Sequence, residues 1–344
     1  MIKFDVLSAS NAMNDNPIDD ISEVDGIPLM TEQIAFNSGE LVDCPKCGKR
    51  NPPNRPKCLY CGAVLELPDE IAAGLPLQIE PAETWEPGVD IVVVAFGPDV
   101  SSDGSSSVIA GDRELISAAL ACEPPFPLAR VREADSDLLA RRLTLSGIEV
   151  RSLTSPPAGG VPAPKRLRSI ELSDGAAVLR SFNNSGEAFS FAWPEIRLAV
   201  LGTITETSSE ARIKRTRKET KHVDERVTGN DYEVLDIYAG NALAGFRIMP
   251  HGFDFSALGD RKSLLAAENM RTLLSTLMER SPNLLADRSF GRKFQIIEKA
   301  WPSIAQNTSK GIYRSGLRVE RGVGELISNA DQFNRYSRMM RDLI

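Results

Sequence analysis

The chain has 344 residues and a formal net charge of −7, with 42% apolar and 25% charged residues. This composition excludes disordered and fibrous classes, and the length fits two or three domains with at least one real core. The longest apolar run, 91–96, falls far short of the roughly 18 residues that cross a bilayer, and the opening residues lack a basic-then-apolar export signal, so a reducing cytoplasm is expected.

Residues 1–43 carry nine acids against Lys3 alone and read as an acidic disordered arm. Residues 44–65 form the next unit, opening on CPKCGKRNPPNRPKCLYCG. Cys44 and Cys47 are followed by ten residues and then by Cys58 and Cys61, with Gly48 and Gly62 directly after each pair. Each Cys-x-x-Cys turn lets two sulfurs point at one ion, and four thiolates with no open position describe one structural Zn2+, with iron as the competitor on ligand type. Lys46, Lys49, Arg50, Arg55 and Lys57 surround the ligands without an acid. They either balance the negative thiolate centre or offer phosphate contacts. The stretch resembles the short bacterial zinc ribbons of pattern CPxCGxxNPxxxxxCxxCG. It is also similar in spacing to Ran-binding-protein type fingers, including Asn51, but has Val42 and Asp43 where that family carries a Trp.

Residues 66–88 are Pro-punctuated and read as a linker. The module at 89–155 then runs β-α-β-α-β. VDIVVVAFG is a strand covered on both faces. GDRELISAALAC is a helix capped by Asp112, and LARVRE a second strand. ADSDLLARRLTLSG is a helix starting at Asp135 or Ser136 and stopped by Gly147, and IEVRSLT closes the unit. Its second half resembles the C-terminal domain of the ribosomal stalk protein and the Clp-protease adaptor, which implies a protein-docking role. Cys122 ends the first helix alone and reads as an inert buried thiol.

A Pro/Gly linker at 156–166 leads into 167–282, where short strands follow one another with tight polar breaks: LRSIEL, GAAVLRSF, EAFSFAW, EIRLAVLGTITE, YEVLDIYA, LAGFRIM and FDFSAL. A helix over 260–280 places Leu264, Ala267, Met270, Leu274 and Leu277 on one face and ends at Pro282. Seven strands closed by one helix resemble the pleckstrin-homology-like (PH-like) barrel, which implies protein or peptide binding. The expected fold class is therefore multi-domain α+β: a four-cysteine ribbon, a small βαβαβ module, and an antiparallel PH-like barrel capped by a C-terminal helix. The insertion after the fourth strand carries Arg212, Lys214, Arg215, Arg217, Lys218 and Lys221. It reads either as a solvated hairpin tip or as an anion- or nucleic-acid-binding surface.

Residues 283–344 read as a helical tail. One helix carries Phe290, Phe294, Ile297 and Trp301, and a polar irregular stretch follows at 303–322. A final helix led by Ser328 or Asn329 has Phe333, Tyr336 and Met340 to one side. These helices dock on their own domain or serve a partner or a homodimer. The histidines, His222 and His251, sit in the loop and in a turn, and no triad, open metal site or nucleotide fingerprint stands out. The reading reached is a non-enzymatic adaptor that binds proteins, with nucleic-acid binding through the ribbon and the 212–221 loop as the alternative.

Overall fold

The computed structural model describes residues 23–24, 27–28, 41–52, 57–66, 81–98, 100, 118–183, 186–215, 220–240, 245–315 and 318–344; within 23–28, 210–225 and 308–323 only the backbone is described. It is mixed α+β and built mostly of strands. The described backbone of the N-terminal region pairs β1 (Glu23–Val24) with β2 (Ile27–Pro28) and β3 (Val42–Asp43) with β4 (Arg50–Asn51), both antiparallel.

Next come β5 (Gly88–Phe96), β6 (Phe126–Val131), α1 (Glu133–Leu145) and β7 (Ile148–Ser155), with antiparallel strand order β6-β5-β7. The continuous apolar run of β5 is buried on both faces. Ile91 and Val93 pack under Leu139 and Leu143 of α1, while Val92 enters a separate core on the opposite side. Gly147 adopts φ +81°, the left-handed conformation that ends a helix and costs a glycine little. The start of α1 differs from expectation. It begins at Glu133, and Arg132 caps it without a side-chain bond. Glu133 and Asp135 in the first turn favour the positive helix end instead. Of the preceding helix, residues 118–120 are helical and Asp112 lies outside the described residues.

The second sheet contains β8 (Lys165–Leu172), β9 (Ala176–Ser181), β10 (Ala188–Ala192), β11 (Ile196–Arg215), β12 (Thr220–Ala239) and β13 (Phe246–Ile248). After α2 (Ala266–Arg280), β14 (Leu285–Asp287) and α3 (Phe294–Ala300), it continues with β15 (Gln306–Ser315) and β16 (Arg318–Ser328), and α4 (Ala330–Asp342) ends the chain. The order is β10-β9-β8-β13-β12-β11-β16-β15, with β14 lying parallel on β11. The sheet curls but stays open, so the expected closed barrel is a half-barrel. Its concave face is filled by α2, through Met270, Leu273, Leu274 and Leu277 against Leu167, Leu179, Leu235 and Phe246.

The helix α2 starts six residues later than the 260–280 reading, and Leu264 and Ala267 are exposed; Asn269, Leu273 and Thr276 are buried instead. Asn269 holds the turn before the helix by bonding the Ser263 N–H (2.7 Å) and carbonyl (2.8 Å). FDFSAL is not a strand. Phe253 and Phe255 are both buried, and Asp254 accepts from the Ser256 N–H and hydroxyl (2.9 Å each), which turns the chain into a 3-10 helix over Ser256–Arg261. The tail also departs from an all-helical reading: the polar stretch expected to be irregular forms β15 and the first five residues of β16. β16 is held by pairing with β11 (Glu206↔Ser328 to Lys214↔Glu320) and β15 by pairing with β16, rather than by an apolar pattern of their own. The segment read as a linker at 156–166 is packed, with Val161 buried and the Gly159 N–H donating to Asp331 (3.1 Å).

The outer face of β11 and β12 meets α3 and α4. Alternation along β11 sends Ala199 and Leu201 toward α2, and Leu198, Val200 and Ile204 toward α4. The helix α4 lies between the two sheets, because Phe333, Tyr336 and Met340 share a core both with these residues and with Val92 of β5. Two polar clusters fix it there. Asp236 and Arg247, directly opposed on β12 and β13, form a buried bidentate pair (2.7 and 2.7 Å) with the guanidinium over the Phe333 ring. On the other side, Arg130 of β6 and Arg335 of α4 both donate to the Ser155 hydroxyl (3.0 and 2.9 Å), and Trp301 donates to Asp90 of β5 (2.8 Å).

Gly202 sets the closest approach of β11 to this helix, since an added Cβ would lie 2.4 Å from the Phe333 ring and 3.1 Å from Phe290. Gly202→Ala is expected to cost about 1–3 kcal/mol by overpacking. Gly229→Ala, where a Cβ meets open space, is the control. Equal urea midpoints for the two variants would contradict this packing.

Candidate metal centre

The four cysteines meet through two copies of one local turn. In the first, the Gly48 N–H donates to the Cys44 carbonyl (2.8 Å) and the Cys44 N–H to Lys49 (3.0 Å); in the second, Gly62 donates to Cys58 (2.9 Å) and Cys58 to Ala63 (2.8 Å). Gly48 and Gly62 both require positive φ, +66° and +69°. A side chain at either would be strained, which explains the Cys-x-x-Cys-Gly spacing.

Asn51 joins the two turns. It is fully buried, its Oδ1 accepts the Leu59 N–H (2.8 Å), and its Nδ2 donates to the Lys49 carbonyl (2.7 Å). The result brings all four Sγ atoms within 4.8 Å of one another, with Cys44–Cys61 and Cys47–Cys58 at 3.5 Å. A tetrahedral site with bonds of about 2.3 Å has sulfur–sulfur edges of about 3.8 Å, so these residues fit one metal ion. Cys44 and Cys58 are buried while Cys47 and Cys61 are exposed.

Desolvation raises the Cys58 thiol, but the Tyr60 and Cys61 amides, Cys47 and Asn51 outweigh it and bring it down to about 6. Cys47 receives the Lys49 amide, but desolvation and the three neighbouring sulfurs push it up to about 12. Thiolates crowded this closely repel one another, which a cation relieves.

The positive residues around the ligands are largely engaged. Lys57 pairs with Asp135 of α1 (2.5 Å), Lys49 sits over the Tyr60 ring at 4.4 Å, and Arg50 faces Asp43 at 3.6 Å; Arg55 lies outside the described residues. Lys57, together with Leu65 packed on Leu138, docks the ribbon onto α1.

Of the other expected anion-binding positions, the structure describes the backbone of some and no side chain. Arg212, Lys214 and Arg215 fall on the β11 backbone and Lys221 on β12, with their side chains outside the description; Arg217 and Lys218 lie outside the described residues altogether. His251 is an exposed turn residue near the Tyr232 ring, and His222 lies on β12 opposite Ile213.

Sequence reading missed a different cluster. Cys122, Ser289, Arg292 and Lys293 line one cavity, although they come from segments far apart in the chain. No helix among the described residues is long and apolar enough to cross a membrane. Comparison with protein-family models, with curated proteins and with solved structures finds no match to this chain.

Proposed function

We propose that the protein is a zinc-containing adaptor, with the four cysteines holding one structural Zn2+ and the strand-built body presenting a docking arm to a protein partner. Four thiolates and no other ligand type favour zinc, and a closed set of four leaves no coordination position for chemistry. In this reading the metal clips the ribbon onto α1 and the PH-like half-barrel is the scaffold.

The observation that carries the reading is the extension β12-β11-β16-β15. β11 and β12 stay paired out to Arg215↔Thr220 through a register shift between Arg212 and Ile213, and β15 and β16 out to Ser315↔Arg318 through one between Ser309 and Ile312. The last fully buried apolar positions among the described side chains are Ile204 and Val234. From Thr205 to Arg215 the arm runs roughly 34 Å at about 3.4 Å per residue. Among the described residues, β15 pairs only with β16, and β12 pairs beyond β11 only at Leu235–Ile237. Such edges offer backbone groups to an added strand.

The test compares the full chain with a variant whose residues 210–225 are replaced by a two-residue turn, after confirming equal thermal midpoints. The full chain should capture a protein from its host at least tenfold more strongly than the variant, and nuclease should not change the yield. Capture that disappears with nuclease and falls steeply with salt would favour the nucleic-acid alternative. Equal capture by both forms would overturn the arm as the docking element.

A further inference from the structure

A cavity of about 390 Å3 opens between residues 118–123 and the segment from Ser289 to Ile296. Its volume lies in the small-metabolite range. Lys293 and Ser289 on its wall are 5% and 6% exposed, while Arg292 and the thiol of Cys122 face it from more open positions.

The electrostatics of Lys293 are unusual for a structural lysine. Its Nζ donates to the Pro125 carbonyl (2.9 Å) and to the Tyr336 hydroxyl (3.4 Å), both uncharged acceptors, leaving one N–H. Among the described residues no carboxylate lies within ion-pairing distance of it. The nearby Asp287 is committed elsewhere, accepting from the Ser289 hydroxyl at 2.5 Å, and that hydroxyl is also bonded to Tyr336 (2.9 Å). A buried ammonium without a counter-ion destabilises the fold unless it changes protonation or finds an anion. Arg292 beside it adds a second cation, so the side that the Ser289–Tyr336 chain stiffens carries two positive groups, against the single lining carboxylate Glu123 next to Cys122.

We propose that this cavity is a binding site for a small ligand bearing an oxyanion, a carboxylate or a phosphate, held by Lys293 and Arg292. The site is separate from the metal centre and from the arm, and it stands whether or not the adaptor reading does. Burial lowers Lys293 below the usual lysine range, against the pull of Asp287, Cys122 and Glu123, and raises the Cys122 thiol. An arriving anion would oppose the first of these shifts.

Cys122 supplies the readout. The full metal-loaded chain is treated with iodoacetamide, and modification of Cys122 is followed by peptide mass spectrometry with inorganic phosphate, with succinate, or with matched sodium chloride. Two charge-assisted contacts correspond to a Kd of about 1 mM, so about 10 mM of the fitting probe should slow alkylation roughly tenfold. Protection by phosphate alone identifies a phosphoryl ligand, and protection by succinate alone a carboxylate.

Each variant is scored as its own ratio with and without probe, because removing a cation changes the thiol as well. Lys293→Met should lose the protection while keeping or raising the thermal midpoint, since it removes a buried unpaired charge. Arg292→Ala, at an exposed position, should weaken protection at least threefold without a change in midpoint. Protection that persists in both variants, or no protection of the natural chain by either probe, overturns the proposal. So does a lowered midpoint in Lys293→Met combined with no probe effect, which marks the lysine as purely structural.

Discussion

Stripping the metal, or replacing Cys44 or Cys58 by Ser, is expected to unfold residues 42–65 while the two sheets stay folded. Structural zinc contributes about 10–16 kcal/mol to small four-ligand modules, far more than the few apolar residues gathered here could supply. Among the described residues, only Cys44, Cys58 and Leu65 form the buried cluster of the ribbon, with Val42, Ala63 and Leu138 at its margin. Hydrogen exchange checks this directly. The Gly48, Cys58 and Leu59 amides, which close the two turns and the Asn51 bridge, should lose protection, and the β11 amides between Leu198 and Ile204 should keep it. The Lys57–Asp135 contact is lost with the ribbon, so α1 should loosen around Leu138. Metal analysis should find about one zinc per chain, the stoichiometry of a single four-sulfur site. Because metal binding needs thiolates, occupancy should fall as pH falls. A metal-free chain with all of these amides protected would refute the assignment.

Asp236→Ala should destabilise the whole protein by about 3–5 kcal/mol, because it strands the Arg247 guanidinium between the half-barrel and α4. Natural domains have only about 5–15 kcal/mol in total, so this single change brings the chain close to unfolding. Burial opposes the charge on Arg247, and Asp236 more than restores it, raising the arginine above its ordinary range. The informative comparison is the double variant Asp236→Ala with Arg247→Met. Removing both charges leaves no orphan, and methionine keeps the contact with Phe333, so most of the loss should be recovered. Guanidinium unfolding of the two single variants and the double variant measures the coupling. A double variant as unstable as the sum of the single ones would show that the pair does not act as a unit.

Much of the local structure was legible because it depends on residues close together in the chain. The two Cys-x-x-Cys-Gly turns, the positive φ of Gly147 and the burial of β5 on both faces follow from a few neighbouring side chains. The final helix was legible too, with Phe333, Tyr336 and Met340 all buried. Its surroundings were not. Arg335 and Gln332 are also buried, because α4 lies between two sheets and needs polar partners on Ser155 and Glu298. Asp236 read as an ordinary polar position in YEVLDIYA, since nothing local shows that Arg247 stands opposite.

The arm failed for the opposite reason. Its strands carry charges, glycines and threonines without an apolar period, so 303–322 read as irregular and 210–226 as a charged insertion. They are strands because β16 finds β11 across about a hundred residues of chain. The cluster of four cysteines that could hold a metal ion, the turns that build it and the strand-rich texture are written in the local sequence, since these rest on covalent spacing, backbone sterics and nearest neighbours. That the sheet stays open around α2, that α4 sits between two sheets, and that Lys293, Arg292 and Cys122 share one cavity emerged with the folded chain alone. Those outcomes depend on burial and charge pairing between residues far apart in the chain, and no local pattern records them.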